Sequence, residues 1–194
     1  MSRSRRLTAP RVYLDSCVFI EVIKGVTRAG GDHDDKFEAC LQLLRDFEQG
    51  VCSLVMSELV YTETFHRGEV SLNDKRRSQL ARGATRDRAG DLIDGWFQRP
   101  EIIRVEVHQE IAEQARRLAL RHTLDSHDAV HLVTAQDEGC KRFITLDEKL
   151  IKRVADADLG LRVELPSTER DGQTSLLIPG QKGLRVITGD GTAS

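Results

Sequence analysis

The apolar and polar positions of this chain change period repeatedly. RVYLD (11–15) is short and β-rich, and the apolar stretch CVFIEVIKG after it predicts a helix, with Gly25 placed to cap its end. DDKFEACLQLLRDFEQG (34–50) sets Phe37, Leu41, Leu44 and Phe47 at helical steps and closes on Gly50. VCSLV then reads as a second strand, and Met56 to His66 as a helix closed by Gly68. Residues 73–97 are polar and rich in arginine, and predict a helix interrupted at Gly83 and Gly90. Beyond Pro100 come a strand in EIIRVEV, a helix in HQEIAEQARRLALRH, a helix in SHDAVHLVTAQDEG, a strand in KRFIT, a short helix in LDEKLIKRV and a strand in LRVEL. Strands alternating with helices of this length predict an α/β fold: a three-layer α/β/α sandwich around a central parallel sheet of four or five strands.

Past Pro166 the helical period is lost and Gly, Ser, Thr and Gln dominate. The expected organisation is a basic arm over 1–10, one domain over 11–165 and a flexible tail over 166–194, where TSLLI and LRVIT flank PGQKG as a candidate hairpin. A chain of 194 residues with 39% hydrophobic content can close one sizeable core. Its formal net charge of -2 sets up no global positive field, so a nucleic-acid partner would be held by local patches. Cys17, Cys40, Cys52 and Cys140 are irregularly spaced with no C-x-x-C pair, which points to reduced thiols rather than a zinc site or a disulfide scaffold. With no apolar run of about 18 residues, the expectation is a soluble cytoplasmic protein with no membrane partner.

In a doubly wound sheet, ligands bind beyond the carboxyl ends of the strands. Asp15 ends the first strand, Glu58 follows the second, Asp147 follows FIT, and Asp128 sits in the first turn of the helix leading into that strand. Taken singly, each has an ordinary use: Asp15 and Asp147 as helix caps, Glu58 as a solvated helical residue, Asp128 as a favourable charge at a helix N-terminus. Asp128, however, is embedded among Ala129, Val130, Leu132, Val133 and Ala135, where an unpaired charge costs several kcal/mol. Four carboxylates gathered at about 6 Å would repel by roughly 3 kcal/mol a pair, on the order of 15 kcal/mol in all. Such a cluster protonates or recruits a cation, and oxygen ligands favour magnesium or manganese.

The motifs VYLDSCVFIEVIKG, VCSLVMSEL and LDSHDAVHLVTAQDEGCKRFITLDEKL resemble, in order and spacing, those of PIN-domain nucleases, particularly VapC-type toxins. The most specific match is D-A-V-H-L-V-T-A followed by F-I-T-L-D, and the resemblance runs from about residue 11 to 165. It implies that Asp15, Glu58, Asp128 and Asp147 form the metal-binding catalytic cluster, with Mg2+ or Mn2+ as cofactor. Ser16 and Thr145 would be polar neighbours, Asp125 an outer acid or a cap, and Glu63 a rival to Glu58. The implied activity is metal-dependent hydrolysis of RNA phosphodiester bonds, with an antitoxin protein and a second copy of the chain as partners. Candidate RNA contacts are Lys75, Arg76, Arg77, Lys141, Arg142 and Lys149, although a solvated helix face explains the first three equally well.

Three rivals remain. A zinc peptidase would use His127 and His131 of HDAVH, but that chemistry needs glutamate where Asp128 stands, and no third ligand follows. A phosphatase of the haloacid dehalogenase type needs a second aspartate at Cys17. The third is a catalytically silent PIN module that binds RNA or a protein partner.

Overall fold

The computed structural model describes residues 9–27, 35–64 and 94–168. The predicted arm, the arginine-rich stretch with Lys75, Arg76 and Arg77, and most of the predicted tail lie outside them. Strands β1 (Arg11–Leu14), β2 (Ser53–Ser57), β3 (Ile103–Val105), β4 (Arg142–Ile144) and β5 (Arg162–Glu164) form one sheet, all parallel, in the order β3-β2-β1-β4-β5. The helices are α1 (Ser16–Thr27), α2 (Asp35–Glu48), α3 (58–64), α4 (Gln109–His122), α5 (Ser126–Asp137) and α6 (Glu148–Val154), with a further helical turn at 94–97.

This order fixes the place of a site. From β1 the chain steps outward to β2 and β3, then returns across the sheet to lay β4 on the other side of β1. Right-handed crossovers therefore put the helices before β3 on one face and those after it on the other. The reversal between β1 and β4 opens a crevice at their carboxyl ends.

β1 is central, so both its faces are buried: Val12, Tyr13 and Leu14 are at most 1% exposed. Tyr13 pairs in register with Phe143, and their rings stack at 5.2 Å. His131 of α5 covers the same face, 5.8 Å from the Tyr13 ring. Successive strand residues face opposite ways, so Val12 and Leu14 pack on the other layer.

Two boundaries differ from the sequence reading, each for a local reason. Gly25 does not cap α1, which continues to Thr27. A Cβ at Gly25 would lie 1.9 Å from the Phe37 ring, so the glycine is where α2 packs closely on α1. Met56 and Ser57 belong to β2 rather than to the next helix, because they pair with Arg104 and Val105 of β3. Gly50 does end α2 as expected: its φ of 74° turns the chain, and Gly50 and Val51 donate back to Phe47 and Asp46. The four cysteines are free thiols, three of them buried. No helix among the described residues is long and apolar enough to cross a membrane.

Candidate active site

A cleft of about 340 Å³ opens at the carboxyl ends of β1 and β4, lined by Asp15, Ser16, Cys17, Glu63, Asp125, Ser126, His127, Asp128 and Asp147. Five of these nine residues are acids from four different parts of the chain. Each reaches the cleft for a reason visible in its element.

Asp15 directly follows β1, whose central position holds it 8% exposed. Its backbone N–H donates to the Ile144 carbonyl at 3.0 Å, so the ladder with β4 extends one residue and locks its position. Its Oδ2 accepts from Thr145 Oγ1 at 2.7 Å and from Cys17 Sγ at 3.2 Å. Thr145 Oγ1 in turn accepts from the Asp147 N–H at 3.0 Å, so one buried hydroxyl couples the two strand-end loops. Cys17 Sγ accepts from the Leu146 N–H at 3.0 Å, and burial pushes its thiol well above the usual range. It is a wall of the site rather than a nucleophile.

Asp147 both caps a helix and lines the cleft. Its Oδ1 accepts from Lys149 and Leu150 N–H groups at 2.8 and 3.1 Å, opening α6. Asp125 occupies the N-cap position of α5, but its side chain makes no capping bond and lines the cleft instead.

Asp128, one turn into α5, carries the electrostatic signature of the cluster. Half-burial, followed by the charges of Asp15, Asp147 and Asp125, raises its pKa to about 6; His131 acts in the opposite direction without winning. The metal-free native state thus holds a carboxylate that is harder to ionise than a free one. A raised folded-state pKa destabilises that state once pH rises above the unfolded value, fully above about 6 and not at all below about 4. Asp128→Asn should therefore stabilise the metal-free protein at pH 7.5 by about 1 kcal/mol, after discounting for solvent screening of a half-exposed group. Thermal unfolding at two pH values checks it: the gain should vanish at pH 4, and an equal shift at both would show that charge is not its cause.

Glu63 on α3 has the opposite balance. Burial would raise its pKa, but hydrogen bonds from His131 and Ser16 and the charges of His131 and His127 outweigh burial and bring it down to about 2. Its Oε2 accepts from Ser16 Oγ at 2.7 Å and His131 Nε2 at 3.1 Å, and its Oε1 meets His127 Nδ1 at 3.0 Å. Ser16 Oγ is also 3.3 Å from Asp15 Oδ1, but its single proton serves one acceptor at a time and the Glu63 contact is the shorter.

Glu58 is not brought to the cleft. It is half-exposed at the start of α3 and lies 3.8 Å from Arg104, which β3 carries. Helical geometry accounts for the difference, since Val60 and Thr64 are fully buried and define the inner face. At about 100° per residue, Glu63 lies about 60° from Val60, whereas Glu58 is about 160° away. That signal was present in the sequence, but it emerges only once Ser57 is known to end β2.

The two histidines of HDAVH both point at Glu63, His131 buried and His127 with its side chain 63% exposed. Asp15, Glu63 and His131 offer ligand atoms that all lie within 4.8 Å of one another. Of the candidate RNA contacts, Lys149 stands in the first turn of α6, two residues from Asp147. Lys141 and Arg142 sit at the opposite, amino-terminal end of β4, and Arg142 pairs with Glu164.

A family model, the PIN domain, matches residues 12–157, most of the chain. The chain belongs to the PIN domain family. Its fold is similar to a toxin-antitoxin complex from Klebsiella pneumoniae (TM-score 0.50, 18% identity, 80% of this chain and 97% of that one). It is equally similar to VapC20 of Mycobacterium tuberculosis, a Sarcin-Ricin loop cleaving toxin (TM-score 0.50, 18% identity, 78% of this chain and 98% of that one). No curated protein matches the sequence. At this identity the likeness is one of fold, an α/β domain around a five-stranded parallel sheet.

Proposed function

We propose that this PIN domain is a divalent-cation-dependent endoribonuclease of the VapC toxin type. The observation that carries the reading is the convergence of Asp15, Glu63, Asp128 and Asp147 on one open cleft at the switch point of the sheet. The donor set fits a hard divalent cation, Mg2+ or Mn2+. It is rich in carboxylate oxygens, and Asp15 and Glu63 offer oxygens within 4.8 Å of each other. Burial together with the charges of Asp15, Asp147 and Asp125 raises the pKa of Asp128 to about 6, a charge that a cation would offset. Asp15, Glu63, Asp128 and Asp147 would hold the ion, with Glu63 in the place expected of Glu58.

When bound, a divalent cation supplies the Lewis acidity and the charge compensation that phosphodiester hydrolysis requires. The chain's own residues do the rest. Thr145 and Cys17 hold Asp15 through Oδ2, which leaves Oδ1 with the longer Ser16 contact, and Ser16 holds Glu63. Asp147 keeps its Oδ1 on the α6 amides, so that its approach to the cleft is fixed by the helix it starts. Asp125 adds negative charge at the rim and strengthens the demand for a cation. Among the described residues, Lys149, in the first turn of α6 and two residues from Asp147, is the basic side chain assigned to an RNA phosphate beside the site.

RNA as substrate is supported by the toxin of similar fold that cleaves the sarcin-ricin loop, and an antitoxin partner by the toxin-antitoxin complex of similar fold. A homodimer and a cytoplasmic location belong to the same reading, and free cysteines suit a reducing compartment. Incubation with RNA and Mg2+ or Mn2+ should give fragments with 5′-phosphate and 3′-hydroxyl ends, and excess EDTA should stop the reaction. Cleavage that persists in EDTA, or products ending in a cyclic phosphate, would count against it.

A further inference from the structure

Behind Glu63 lies a buried chain of polar groups that the acidic cluster does not itself require. His131 is 2% exposed in a helix whose other inward positions are almost all apolar. Both ring nitrogens are engaged: Nε2 with Glu63 Oε2 at 3.1 Å, and Nδ1 with Tyr13 Oη at 2.8 Å. Tyr13 donates to Ser57 Oγ at 2.9 Å and accepts from the Ser57 N–H at 3.1 Å. The chain thus runs from β2 through β1 and α5 to α3. Tyr13 is fully buried and its hydroxyl is pushed far above its ordinary pKa, so it acts here as a neutral hydrogen-bonding group.

The two oxygens of Glu63 are held unequally. Oε2 takes two buried donors, Ser16 and His131, whereas Oε1, among the described residues, takes the exposed His127. An arriving cation can replace a surface imidazole far more readily than it can break two bonds inside the protein.

We propose that His131, held in turn by Tyr13 and Ser57, is a positioning residue that anchors Glu63 through Oε2 and so presents Oε1 to the bound cation. The inference rests on the reading of Glu63 as a cation ligand. It assigns His131 no contact with the ion or the substrate: His131 is not among the residues lining the cleft, and although its ring lies near Asp15 as well, its Nε2 is taken by Glu63 Oε2 and its Nδ1 by Tyr13. Groups behind a ligand that fix its orientation typically change metal affinity tenfold to a hundredfold when removed.

Mn2+ affinity of the metal-free full chain, measured by titration calorimetry with circular dichroism as a check on folding, tests the proposal. His131→Leu should weaken Mn2+ binding about tenfold or more. His131→Gln, whose amide can donate to Glu63 from a similar place, should recover most of it. Tyr13→Phe, remote from the cleft and nearly isosteric, should weaken binding severalfold and decides the matter if His131→Leu does not fold. In a Glu63→Gln background, His131→Leu should have no further effect, because its action passes through Glu63. Wild-type affinity in a folded His131→Leu protein, or an undiminished loss in the Glu63→Gln background, would overturn the positioning role alone. If Glu63→Gln itself leaves Mn2+ affinity unchanged, the metal reading of Glu63 fails, and the positioning role fails with it.

Discussion

Asp15→Asn is expected to abolish cation-dependent RNA cleavage, by about a thousandfold or more, and to leave the fold intact. A thousandfold is about 4 kcal/mol of transition-state stabilisation, which losing a central charged ligand can remove. The substitution keeps the shape of the side chain and an oxygen that can accept from Thr145, so the loops after β1 and β4 should stay joined. It removes one charge from a group of mutually repelling acids, which relieves the folded state rather than straining it. Asp128→Asn should lose activity to a similar degree, since its carboxylate shares the same cleft and its pKa is raised in part by Asp15. The measurement is single-turnover cleavage of a labelled RNA in Mg2+ and in Mn2+, alongside thermal unfolding of both variants. Equal cleavage by the wild type and both folded variants would mean that the cluster is not catalytic and that the silent PIN module is the better description.

What the sequence made legible divides along physical lines. Every strand and helix it indicated between Pro100 and Pro166 is found in place, since period and caps are local properties. The crevice was legible too, because Asp15 and Asp147 both follow strands and a parallel sheet with short strand-end loops leaves them one place to meet. The departures come from contacts between distant segments. Gly25 reads as a cap until the Phe37 ring is seen beside it, and Met56 and Ser57 read as helical until β3 pairs with them. Lys141 and Arg142 are close in sequence to Asp147, yet a strand lies between, which carries them to the far end of the sheet. The histidines of SHDAVHLVTA suggested a metal pair one turn apart, but the fold directs both onto a single carboxylate.

That carboxylate separates the two glutamates of α3, and the contrast between them is the second large effect expected. Glu63→Gln should lower cleavage by about a hundredfold or more, whereas Glu58→Gln should stay within about twofold of the wild type. Glu63 faces the cleft and is kept ionised down to about pH 2 by His131, Ser16 and His127, so it can offer full charge to a cation at any pH where RNA is cleaved. Glu58 points at Arg104 across 3.8 Å, with both side chains about half in solvent. An exposed pair of that kind contributes at most about 1 kcal/mol, and its loss should alter stability slightly and catalysis hardly at all. Rates for both variants, with Mn2+ affinity measured in parallel, decide between them. If Glu58→Gln were the inactive protein and Glu63→Gln the active one, then α3 would have to rotate by more than a third of a turn on binding RNA or metal. The burial of Val60 and Thr64 on its present inner face opposes that rotation.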